Sequence, residues 1–84
     1  MTTKEFHERA KVLVASAEGK NTQEKDVYCV WFNYTLGNMK GLFATPKDNG
    51  LYYEVTYDNN RHKIYLDTYA HVSNLEFVVE SNHE

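Results

Sequence analysis

The chain has 84 residues, nine of them basic and 12 acidic, and carries a net charge of −3 at pH 7 with its histidines neutral. That length is one domain, and a domain this short buries only roughly 60% of the surface its unfolded chain exposes. The single cysteine excludes an internal disulfide, and the scattered Lys and Arg lack the basic patch expected of a nonspecific nucleic-acid binder.

The first segment reads as an amphipathic helix over residues 3–17. Thr2 and Glu5 have capping-box spacing, in which each side chain satisfies an orphan amide at the helix start. Phe6, Ala10, Leu13, Val14 and Ala17 form one apolar stripe, and Gly19 is a natural stop. Charged residues interrupt this segment, so it lacks the unbroken apolar core of a signal peptide. The longest apolar run in the chain is far too short to span a bilayer. Together with the lone cysteine, this predicts a soluble protein of a reducing cytoplasm.

Lys20 to Lys25 is a polar linker. A run of aromatic and β-branched strands follows, at about 27–35, 39–45, 51–58 and 62–69. In the first, Tyr28, Val30, Phe32 and Tyr34 alternate with Val27, Cys29 and Trp31, which predicts apolar groups on both faces. Leu36-Gly37-Asn38, Pro46-Lys47-Asp48-Asn49-Gly50 and Asp58-Asn59-Asn60 supply turn chemistry. Gly41, inside a strand, predicts a bulge or the close approach of another group. Residues 70–74 read as a loop or a single helical turn. Leu75, Phe77 and Val79 alternate with Glu76, Val78 and Glu80, which predicts a fifth strand at 75–80, and residues 81–84 read as a frayed polar tail. The expected fold is α+β, one N-terminal helix packed on a four- to five-stranded antiparallel β-meander. Its expected core is Phe6, Leu13, Val30, Phe32, Val55, Ile64 and Leu66.

Chemistry is harder to find. His7, His62, His71 and His83 show no metal-ligand spacing with one another or with Cys29, and read as solvated. Cys29, inside VYCVW, reads as a buried reduced thiol rather than a nucleophile. Glu54 and Asp67 on neighbouring strands could do acid–base work only if burial split their pKa values, and a wet sheet face makes ordinary solvated charges the simpler reading. Phosphate-binding and nucleophile-elbow motifs are absent. No catalytic residue, metal site or cofactor is expected.

The remaining signal is aromatic richness, with seven Tyr, four Phe and one Trp. Tyr52, Tyr65 and Tyr69 interleave with Glu54, Thr56 and Asp67 on the polar phase of two strands joined by a short turn. Tyr is enriched at protein interfaces, although strand propensity also favours it. The segments VYCVW, GLYYEVTY and YLDTY, in this order within residues 26–70, resemble a family of short proteins of phages and prophages of Gram-positive bacteria. The resemblance implies a phage origin and no particular activity. After Tyr69 the chain departs from that pattern, with AHVSN in place of a more basic stretch.

These signals lead to an expected non-catalytic binding protein in the host bacterial cytoplasm. It would cover a host or phage protein with the face bearing Tyr52, Glu54, Tyr65, Asp67 and Tyr69, an acidic surface suited to a basic groove. The alternative is a small-ligand or nucleic-acid module stacking rings on the same tyrosines. A homodimer is also expected, because open sheet edges want cover.

Overall fold

The computed structural model describes residues 1–19 and 21–80. The expected tail, 81–84, lies outside the described residues. The helix α1 spans Thr3–Glu18. Its start is the expected capping box: the Glu5 amide donates to Thr2 Oγ1 at 3.1 Å, and the Thr2 amide donates to Glu5 Oε1 at 2.8 Å. At its end Gly19 takes φ 95°, and its amide donates to the Ala15 carbonyl. A left-handed residue of this kind costs glycine little.

The buried arc of α1 is Phe6, Ala10, Val14 and Ala15. It is rotated from the expected stripe, leaving Leu13 half-buried and Ala17 exposed. The cause lies in the next segment. The polar linker forms a 3-10 turn, Glu24–Asp26, that packs against α1 and covers its Ala15 side.

Four strands follow: β1 (Tyr28–Thr35), β2 (Asn38–Ala44), β3 (Leu51–Asp58) and β4 (Lys63–Ala70). They form one antiparallel sheet in sequence order, β1-β2-β3-β4. α1 lies chiefly over β2 and β3. Successive residues of a strand point to opposite faces. One face therefore packs under α1 through Met39, Phe43, Tyr53, Val55 and Tyr57, all buried. The ring of Phe43 lies over Gly41, where a Cβ would come within 2.7 Å of it, so Gly41 is the site of close approach that its position in a strand suggested.

Val30 and Trp31 do not lie as the alternation predicted. Cys29 pairs with Phe43 and Trp31 with Leu42, so Val30 is an extra residue in a β-bulge. The bulge resets the phase of the strand. Cys29 and Phe32 fall on the helix side, Trp31 falls on the other, and Val30 is exposed rather than core. Of the remaining expected core, Phe6 and Val55 are fully buried. Phe32, Ile64 and Leu66 are half-buried, because α1 is too narrow to roof the edge strands β1 and β4, and Leu13 is half-buried by the rotation of the helix.

The fifth strand is also absent. Residues 71–80 adopt neither helix nor strand. The alternation is present in the sequence, but the chain runs off the end of β4 and meets nothing to pair with.

Candidate functional site

The outer face of the sheet, opposite α1, brings together all five residues singled out from the sequence. The register pairs Tyr52 with Tyr69, Glu54 with Asp67 and Thr56 with Tyr65. Paired residues of antiparallel strands point to the same side, and the helix-facing partners Tyr53 and Val55 fix which side that is. Tyr52, Tyr65 and Tyr69 are each exposed, as is Asp67.

The register adds neighbours that the sequence had hidden. Trp31, Leu42, Glu54 and Asp67 form one row across all four strands, and Asn33, Lys40, Thr56 and Tyr65 form the next. With strands ~4.8 Å apart, each row is ~14 Å wide. Trp31 is 42% exposed. It belongs to this face only because of the bulge, and no Gly or Pro in VYCVW announces that irregularity. Tyr28, also exposed, flanks the face opposite Ala44.

Electrostatically the face is less acidic than expected. Lys40 Nζ lies 3.4 Å from Glu54 Oε1. By register Glu54, Asp58 and Asp67 share this side with Lys40 and Lys63, three negative groups against two positive. The expectation of an acidic face suited to a basic groove is corrected to a nearly neutral, aromatic one. An exposed ion pair such as Lys40–Glu54 contributes little to stability but sets the polarity at the centre of the patch.

The other sequence-flagged groups lie elsewhere. His7 is not solvated. It is half-buried, its ring centroid 4.7 Å from that of Phe32, with Nδ1 2.8 Å from the Thr3 carbonyl oxygen. His62 sits in the β3–β4 turn at φ 54°. Cys29 is half-buried on the helix side, where burial pushes its thiol pKa up and its Sγ donates to the Trp31 carbonyl. Lys11 acts in the opposite sense, but desolvation prevails, so the thiol is not activated in the way a nucleophilic cysteine is.

Among the described residues, no group of three or more His, Cys, Asp or Glu is placed to hold a metal ion. No helix among them is long and apolar enough to cross a membrane. An open groove of about 630 Å³ lies between α1 and the 3-10 turn, lined by Val12, Ala15, Ser16 and Thr22 and remote from the aromatic face.

One polar cluster was missed by sequence reasoning, and its role is to lock the fold. Glu18, the last residue of α1, accepts hydrogen bonds from the Tyr53 hydroxyl, from Thr45 Oγ1 and from Asn49 Nδ2. A carboxylate at a helix C-terminus is disfavoured by the helix dipole. Here three donors from β3 and the β2–β3 connection offset that cost. The Tyr53 hydrogen bond, foremost, holds the Glu18 carboxyl below its usual pKa. Burial, helped by Glu18, pushes the Tyr53 hydroxyl up to about 12. No local motif signals such a cluster, because the three donors lie 27 to 35 residues from Glu18.

No curated protein and no solved structure matches the chain. A family model does, over residues 2–79, from the capped helix through the sheet and most of the segment beyond it. By that match the chain belongs to the family of unknown function DUF6275.

Proposed function

We propose that this chain is a non-catalytic binding protein, a phage accessory factor that docks on a host or phage protein in the bacterial cytoplasm and acts by occlusion. The observation that carries the reading is the outer sheet face. Trp31, Tyr52, Tyr65 and Tyr69 stand exposed there around a Lys40–Glu54 pair, while α1 covers the opposite face. Exposed aromatic groups on a flat surface with a polar rim are what protein interfaces use as anchors. The near-neutral charge favours a flat partner surface, apolar where it meets the rings and polar opposite the Lys40–Glu54 pair, over a strongly basic groove. The phage origin rests on the sequence resemblance.

Trp31 is the only tryptophan and lies in the proposed interface, so its fluorescence reports on occupancy. A partner captured from host lysate should perturb that emission. Tyr52→Ala and Tyr65→Ala should each weaken the purified complex by ~2 kcal/mol or more with melting temperature nearly unchanged. Equal binding by both variants would place the function elsewhere. Quenching of Trp31 by single-stranded oligonucleotides at moderate salt would favour base stacking on the same rings instead.

A further inference from the structure

Beyond Ala70 the chain keeps the direction of β4. The His71 amide donates to the Gly50 carbonyl at 2.6 Å, one step past the Leu51–Ala70 pair, which carries the ladder onward instead of turning it back. From there the chain leaves the body of the domain. Val72, Leu75, Phe77, Val78 and Val79 are between 75 and 92% exposed. The radius of gyration is 15.6 Å, against about 12 Å for a compact chain of this length. A soluble monomer rarely leaves five such side chains uncovered in one short stretch, and Leu75 to Val79 combine high strand propensity with alternation. The family match runs to residue 79 and so takes in this segment along with the sheet.

A complementary surface exists on the same molecule. Among the described residues β4 pairs with β3 alone, so its other edge presents amides and carbonyls that none of them pairs with. Beside that edge, on the helix side, Ile64 and Leu66 are only half-buried. A strand added there would place Leu75, Phe77 and Val79 next to Ile64 and Leu66, completing the roof that α1 is too narrow to supply.

We infer that residues 75–80 of one copy of this chain form a fifth strand on the β4 edge of a second copy, and that the exchange is reciprocal. A single Phe offers roughly 150–250 Å² for burial. Two segments, each with one Phe, one Leu and two Val, together with the edges they cover, reach the ~1,000 Å² that a specific interface needs. A second copy is the occupant because the chain's own edge lies behind the exit direction set at His71, while every copy presents the same segment and the same edge. The inference is independent of the outer-face reading, since it uses an edge and a tail and leaves Trp31 on β1 and Tyr52 on β3 outside the new strand pair.

The test is the mass in solution of the full chain over a concentration series up to millimolar, beside Phe77→Asp and a chain ending at Ala70. The full chain should approach twice its 9.8 kDa. Both variants should stay at the single-chain mass with an intact fold, read from Trp31 emission. Mixed samples of isotope-labelled and unlabelled chains should show contacts between Phe77 of one copy and Leu66 of the other. A full chain that remains monomeric overturns the inference. If its 75–79 amides are then protected from exchange, the strand has folded back within one chain; if they are unprotected, the segment serves another purpose. A dimer that survives Phe77→Asp, or one without the Phe77–Leu66 contact between copies, overturns it equally.

Discussion

Tyr52 and Tyr53 are adjacent and chemically identical, yet one is 42% exposed on the outer face and the other 2% exposed beneath the helix. Tyr53 puts its ring among Phe6, Phe43 and Val55 and its hydroxyl on Glu18. Tyr52 pairs with Tyr69 and faces away from the domain. The difference teaches that the aromatic richness of this chain serves two purposes at once. Strand phase, together with how far α1 reaches across the sheet, decides whether a given ring is core or surface, so composition alone could not have said which.

The comparison breaks if truncation on the two faces costs alike. Phe43→Ala, which empties the centre of the helix side and uncovers Gly41, should cost ~3–5 kcal/mol, a large share of the stability of so small a domain. Tyr52→Ala and Tyr65→Ala should change unfolding free energy by less than ~0.5 kcal/mol. Chemical denaturation of the three variants decides it, and comparable losses on both faces would mean that the outer face is covered within the molecule.

The hydroxyl of Tyr53 sharpens the contrast. Tyr53→Phe keeps the ring and removes the bond to the Glu18 carboxylate, and should cost ~1.5–3 kcal/mol at neutral pH. The same change at Tyr69 should cost nothing measurable. The pH dependence gives a second reading. Glu18 has a lowered pKa in the fold, so its contribution is present above the unfolded value of 4.5 and is lost as pH falls through the folded value. Tyr53 has a raised one, so its contribution is full below pH 10 and is lost between pH 10 and about 12. Tyr53→Phe should flatten both limbs of a melting-temperature profile. Unchanged limbs would show that Glu18 finds its donors elsewhere.

The smallest effect lies at the β1–β2 turn. Leu36 and Gly37 both take positive φ, 51° and 83°, and Leu36 is 89% exposed. Such a two-residue hairpin turn prefers Asn-Gly, and a left-handed leucine carries a steric cost. Leu36→Asn should raise stability by ~0.5–1 kcal/mol, read as an increase in melting temperature. A decrease would mean that the Leu36 side chain has a contact worth more than its backbone strain.

Much of this was legible in the sequence. The capping box, the turn residues and the period-two alternation of Leu51 to Asp58 each depend on neighbours a few positions away, and each appears in the structure where the sequence put it. The five residues of the outer face were legible for the same reason, since β3 and β4 are regular and joined by a short turn. What stayed hidden depends on distant partners or on a local irregularity. Val30 looks like any strand valine until the register with β2 shows it unpaired. His7 looks like a surface histidine until Phe32 and Phe43 close over it. Residues 75–80 alternate like a strand, but alternation states only that a segment suits a sheet and does not provide the neighbouring strand.

The sequential strand order also bears on how the chain reaches its fold. Connections of two, six and four residues separate the strands, so each hairpin closes at small entropic cost. The meander can therefore zip from one turn to the next, as low-contact-order topologies do. The bonds of Glu18 are different, because each spans at least 27 residues and forms only when helix and sheet have docked. Weakening that clasp should then act mainly on the rate of unfolding and leave the rate of folding nearly untouched. One carboxylate at the end of α1 should thus lengthen the lifetime of the native domain without hastening its formation.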